Sequence, residues 1–164
     1  MNLLDSIKVP VGVFDMKAYH APSGRLVAHT HGENIVVNDG REALARLLGN
    51  DTGDWFVDYM KFGDGGHDPG DVTVMETVDV LDDDLYGTEH FSYDVTSTTT
   101  WPALRKVQFE ATVEAAEGNG AGTLEYSEAG LFYDSGTVMF AHKAFGYIVK
   151  NNTIKLVATW TFTF

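Results

Sequence analysis

Along residues 153–164 apolar and polar positions alternate. Ile154, Leu156, Ala158, Trp160, Phe162 and Phe164 fall on one parity, and Thr153, Lys155, Thr159, Thr161 and Thr163 on the other, with Val157 the apolar exception. Side chains alternate faces along an extended chain, so this pattern predicts a β-strand with one buried and one wetter face. Its β-branched and aromatic residues suit a pleated, half-buried surface. At ~3.3 Å per residue the stretch spans roughly 40 Å, long for an ordinary strand. The sequence stops on an aromatic, and that end is expected to be covered by the rest of the domain or by another subunit. Residues 107–115 repeat the alternation, with Val107, Phe109, Ala111, Val113 and Ala115 facing in and Gln108, Glu110, Thr112 and Glu114 facing out.

Earlier in the chain, residues 8–14 and 16–20 read as short strands broken near Asp15. Pro22-Ser23-Gly24 is a turn and 25–30 a return strand, which together make a hairpin. Residues 33–37 continue as a strand into Asn38-Asp39-Gly40, where the period changes from 2 to 3.6. Ala43, Leu44, Leu47 and Leu48 share a helical face; Asp39 is placed to cap its start, Glu42 to complete a capping box and Gly49 to end it. This one short helix must lie on a sheet. Residues 55–62 read as a strand, 63–71 as irregular glycine- and aspartate-rich chain, 72–80 as extended, and 81–90 as an exposed connection. Residues 91–100 are β-prone up to the interruption at Trp101-Pro102. Beyond the glycine-rich turn 118–122, residues 124–133 form a strand with a bulge expected at Gly130. A tight turn at Asp134-Ser135-Gly136 leads into 137–145. Ile148-Val149 then runs through Asn151-Asn152 into the terminal strand, completing a three-stranded meander. The pattern predicts an all-β protein, an antiparallel β-sandwich, jelly-roll-like or meander, with one short helix. Residues 1–32 read as an N-terminal hairpin or attachment arm and 33–164 as the β-sandwich domain.

Composition narrows the function classes. A chain of 164 residues with 44% hydrophobic content sustains a core. Eleven basic against 24 acidic residues give a net charge of −13, which repels a phosphate backbone and an anionic membrane surface, so neither nucleic acid nor membrane is an expected partner. There is no cysteine, so disulfides, thiolate nucleophiles and cysteine zinc sites are excluded. Residues 1–10 lack the basic flank and apolar run of a signal peptide, and no membrane span is expected. Synthesis in a cytoplasm follows.

Candidate chemistry is sparse. His29, His31 and Glu33 alternate on one strand face and offer ligands to a divalent metal, near the spacing of a cupin metal motif but with Glu33 too close to His31 and no second motif following. The simpler reading is a polar strand face ending at a turn. The run Asp64-Gly65-Gly66-His67-Asp68-Pro69-Gly70-Asp71 supplies oxygen ligands for calcium without the EF-hand spacing. Asp82, Asp83 and Asp84 read as a solvated charge run. Glu125 and Glu128 form a possible acid pair, and Trp55, Trp101 and the tyrosines possible platforms for sugars, although a β-sandwich core also needs aromatics. No G-x-S-x-G, phosphate loop or H-E-x-x-H occurs. No catalytic residue, cofactor or metal ligand is assigned; a cupin-like metal enzyme and a carbohydrate-binding module remain the rival classes.

The C-terminal third carries Tyr126-Ser127-Glu128-Ala129-Gly130-Leu131-Phe132, then Met139-Phe140-Ala141-His142-Lys143-Ala144-Phe145, then Ile148-Val149-Lys150, then Thr159-Trp160-Thr161-Phe162. In this order the segments resemble small virion structural proteins of tailed bacteriophages. The front half fits the same resemblance through Asn34-Ile35-Val36-Val37-Asn38-Asp39-Gly40-Arg41, Leu44-Ala45-Arg46-Leu47-Leu48 and Lys61-Phe62-Gly63-Asp64-Gly65-Gly66-His67. It covers about residues 33–164. It implies an assembly part of a virion and no enzyme: a capsid decoration protein, a neck or collar fibre, or a tail or baseplate accessory, the last with receptor or carbohydrate binding as an alternative role. Expected partners are further copies of the chain, as a trimer, and other virion proteins such as the major capsid, neck or tail protein.

Overall fold

The computed structural model describes residues 10–68 and 70–164. The expected start of the first strand at Lys8, the reading of residues 1–9 as no signal peptide, and the place of Pro69 in the calcium-like run lie outside the described residues.

The elements in order are β1 (Val11–His20), β2 (Arg25–Glu33), β3 (Ile35–Val36), α1 (Asn38–Leu48), β4 (Val57–Gly63), β5 (His67–Asp68), β6 (Asp71–Met75), β7 (Glu89–Asp94), β8 (Lys106–Val113), β9 (Leu124–Tyr133), β10 (Val138–Lys150) and β11 (Ile154–Thr163). They form an all-β sandwich with one short helix. One sheet has the order β2-β1-β11-β8 and the other β3-β10-β9-β4-β7, with β5 and β6 making a separate ribbon. The strand pairings are antiparallel.

β11 is the centre of its sheet, and Trp160 stands opposite Phe14 on one side and Phe109 on the other. The alternation read from the sequence is realised: Leu156, Ala158, Trp160 and Phe162 are buried and the intervening positions are wetter. Trp160 packs edge-on against Phe14 at 4.9 Å, Phe14 stacks on Phe145 of the opposing sheet at 5.5 Å, and Phe162 meets Phe140 there at 5.6 Å. These aromatic pairs close the sandwich. Burying such side chains is the main favourable contribution to folding.

Several local expectations are corrected. β1 runs unbroken through Asp15, because that residue takes the wet parity of the strand and bonds outward to His29 and Lys17. The β1–β2 hairpin is built into the sandwich, since β1 carries Phe14, Met16 and Ala18 into the core. The residue before α1 is Val37, with no side-chain cap; Asp39 lies inside the first turn, and Glu42 pairs with Arg46 instead. Gly40 explains the earlier start: it lies against the Phe140 carbonyl, where a Cβ would overlap backbone, so the first turn is pressed onto β10. Gly130 is not a bulge. It pairs in register with His142 and Lys61, and the irregularities lie between Met139 and Ala141 and between Ala144 and Ile148. Its missing side chain leaves room for Phe132 and Met139. The terminal meander does not form either. β9 and β10 pair as a hairpin, but β11 crosses to the other sheet. A short turn at Asn151–Thr153 serves a corner between sheets as well as a hairpin, and both strands bury an apolar face, so they oppose each other across the core. Residues 63–71 are not wholly irregular: β5 and the start of β6 lie within them, where the Asp68 carboxylate accepts the Gly70 N–H at 2.6 Å and holds the turn.

Candidate functional site

A dense polar cluster is buried between the five-stranded sheet and the connection after β6. Glu128 enters from β9 and is fully buried. Its Oε1 accepts the backbone N–H groups of Gly65 and Gly87, each at 2.8 Å, and its Oε2 accepts that of Tyr86 at 2.9 Å. From the adjacent β10, fully buried His142 places Nε2 3.0 Å from Glu128 Oε2 and Nδ1 2.8 Å from Asp82 Oδ2. The Tyr86 hydroxyl donates to Asp82 Oδ1 at 2.8 Å, and its ring stands edge-on to the imidazole at 4.7 Å. A neutral imidazole donates through one nitrogen only, so the two carboxylates facing this ring call for a proton on each nitrogen or on one carboxyl. Burial pushes the Glu128 carboxyl up, but the bonds from His142 and the three backbone N–H groups outweigh it and hold it below its ordinary value.

The strands gather this cluster from segments distant in sequence. Pairing of β9 with both β4 and β10 sets the Gly63–Gly66 stretch, Glu128 and His142 side by side. Gly66 donates its N–H to the Ser127 hydroxyl at 2.9 Å, and a Cβ on Gly66 would overlap the Ser127 carbonyl. Gly65 is pressed in the same way against Gly87. The loop thus requires glycine for close backbone approach. Gly66→Ala is expected to destabilise by about 1–3 kcal/mol, as overpacking does, with a lowered urea midpoint as the readout. Chemically the cluster is a clamp. Its acceptors are spent on backbone donors, and its imidazole and Glu128 carboxylate are closed to solvent. Lys150 does similar work at the far end of β10, donating to Asn119 Oδ1 at 2.7 Å and to the Ala115 and Asn151 carbonyls.

The candidates read from the sequence are distributed differently. His29 and His31 both turn to the Asp15 carboxylate, at 2.7 and 3.3 Å. Burial pushes that carboxyl up, while His29 and Lys17 outweigh it and hold it below the ordinary range. Glu33 has no part in that contact, and among the described residues no three His, Asp or Glu side chains gather as a metal-ligand set. The calcium-like run does not converge on one centre. Asp64 bonds to the Thr88 N–H and to His90, Asp68 to Gly70, and Asp71 to Thr73. The charge run 82–84 is only partly solvated, because the Asp82 carboxylate is 8% exposed and belongs to the clamp. Glu125 and Glu128 do not act as an acid pair: Glu128 is buried, while Glu125 lines a polar hollow of about 410 Å³ with Asp64, His90 and Tyr147. Trp55 packs on Tyr133 under the Arg46 guanidinium, and Trp101 is exposed. Sequence reasoning missed His142, Asp82 and Tyr86. The signal available was a lone histidine on an apolar strand face, which needs a partner if buried.

A second hollow is apolar. A groove of about 500 Å³ opens at the end of the sandwich under α1, lined by Leu44, Leu47, Trp55, Phe56, Trp101, Phe162 and Phe164 among others. Comparison with protein-family models, with curated proteins and with solved structures finds no match to this chain.

Proposed function

We propose that this protein is a structural component of a tailed-phage virion, a decoration or accessory protein that docks on the capsid exterior or neck as a homotrimer. The observation that carries the reading is the β5–β6 ribbon. All five residues of β6 are exposed, and Val72, Val74 and Met75 are each at least half exposed. An apolar strand left in water with one edge unpaired is a template for another chain. The clamp complements it: the residues that carry the virion resemblance, Glu128, His142, Gly65 and Gly66, are used to hold loops onto the sheet, as a rigid building block requires. The charge of −13 favours a basic surface on the partner lattice.

The test is co-sedimentation with particles. Wild-type chain is expected to band with purified virions on a density gradient. The Val72→Asp, Val74→Asp double variant is expected to stay at the top while keeping the wild-type circular dichroism spectrum and melting temperature. Equal banding of both chains removes the ribbon from the interface, and absence of the wild type from the particle band overturns the proposal.

A further inference from the structure

Lys150, at the end of β10, is fully buried, and its hydrogen bonds go to neutral groups. The ammonium donates to Asn119 Oδ1 at 2.7 Å, to the Asn151 carbonyl at 3.1 Å and to the Ala115 carbonyl at 3.2 Å. These three acceptors use all of its donors. A cation taken out of water without a paired charge is pushed toward its neutral form. Burial accordingly holds the Lys150 amine below its ordinary value, and the charges of Glu117 and Glu114 offset this only in part. A neutral lysine amine is a nucleophile.

What this amine faces is a side-chain amide held in place. Asn119 Nδ2 donates to the Ala115 carbonyl at 2.8 Å, the same oxygen that accepts from Lys150. The Asn119 amide is thereby fixed at both ends, its oxygen by Lys150 and its nitrogen by Ala115. The turn that carries it is anchored as well, because the hydroxyl of fully buried Tyr126 donates to the Gly118 carbonyl at 2.8 Å. Asn119 Cγ is one bond beyond the oxygen that Lys150 already touches, so attack needs a turn of the lysine end and no movement of the backbone. Holding two reacting groups together in this way replaces an encounter in solution. We propose that Lys150 and Asn119 join in an intramolecular isopeptide bond, made by the folded chain itself. The neutral amine attacks Asn119 Cγ, the Nζ–Cγ bond forms and the Cγ–Nδ2 bond breaks. One proton passes from Nζ to Nδ2, which leaves as ammonia, and nothing is oxidised or reduced. The bond ties the connection between β8 and β9 to the far end of β10, closing a ring that contains β9 and the rest of β10. A tie of this kind limits the freedom of the unfolded chain, as a disulfide does, in a sequence that has no cysteine to supply one. It belongs to the fold and holds whatever surface the protein docks on.

Intact mass spectrometry of the purified full-length chain, denatured after prolonged incubation at neutral pH, reads the bond directly. The mass is expected to lie below the sequence mass by one ammonia, and a protease digest is expected to contain the Asn119 peptide joined to the Lys150 peptide. Lys150→Arg and Asn119→Ala should each keep the full mass of their own sequence. Asn119→Asp should lose one water in place of ammonia, because a carboxyl joined to the same amine releases its oxygen as water. The wild-type mass decides the matter without any variant, so a failure of the variants to fold leaves the test intact. A wild-type chain at its full sequence mass overturns the proposal and leaves Lys150 a hydrogen-bond donor only. So does a loss of ammonia that persists in Lys150→Arg and is opened by hydroxylamine, which marks a succinimide at Asn119-Gly120.

Discussion

Replacing Glu128 with Gln, or His142 with Ala, is expected to lower stability by about 3–5 kcal/mol, the range for breaking one partner out of a buried charged pair. The reason lies in what each change strands. Glu128 holds the backbone N–H groups of Gly65, Tyr86 and Gly87 and faces His142. A glutamine keeps one oxygen but turns an NH₂ group toward donors, so either the Tyr86 N–H or both the Gly65 and Gly87 N–H groups lose their acceptor. His142→Ala leaves Glu128 and Asp82 facing each other's space without the bridging ring. The double variant should cost less than the sum of the two, because both changes remove the same contact. The pH dependence follows from the lowered carboxyl. A carboxylate whose folded-state value lies below its ordinary 4.5 stabilises fully above that pH and loses its contribution as pH falls through the folded value. Wild-type stability should therefore decline below about pH 4.5, and the decline should be shallower in Glu128→Gln. Urea unfolding across pH 3–7 measures both effects.

The second large effect is at Trp160. The indole is fully buried at the centre of β11, between Phe14 and Phe109. Truncation to alanine removes its transfer energy and leaves a cavity, at a typical cost of ~3–5 kcal/mol. Against the ~5–15 kcal/mol that holds a domain folded, this yields an unstable or insoluble protein. Trp160→Phe should be much milder, because the indole N–H is buried without a hydrogen-bond partner among the described residues and phenylalanine removes that donor while keeping most of the apolar area. Thr159→Ala and Thr163→Ala, on the wetter parity, should each change stability by well under ~1 kcal/mol. A damaging threonine change beside a silent Trp160→Ala would mean that the strand faces the other way.

The difference between what could and could not be read from sequence is physical. Parity along β11 and β8 was legible because a strand with one buried face writes its orientation into every second residue. The helix was legible from its period, but the face read from it was not realised in full: Ala43 is buried and Leu44 partly so, while Leu47 and Leu48 stay exposed. Its start was not legible either, since the pressure of Gly40 on Phe140 is a contact between segments 100 residues apart in numbering. The hairpin of β9 and β10 was visible in its turn residues. The sheet change before β11 was not, because turn length does not distinguish pairing from crossing. The clamp was the least legible feature. Asp82 sits in a run of three aspartates, and only the fold distinguishes it from Asp83 and Asp84 by bringing it to His142, 60 residues away. Glu128 and His142 stood in the sequence without a visible role, and only the structure supplies the hydrogen bonds that make them necessary.

The central claim, a structural place in a virion, is tested most directly by the absolute copy number of the chain in purified particles, counted by mass spectrometry against isotope-labelled peptides. The account predicts a fixed number per particle that is a multiple of three, unchanged by washing at moderate salt. A chain that is absent from particles, or present in variable amounts far below one copy each, would contradict it.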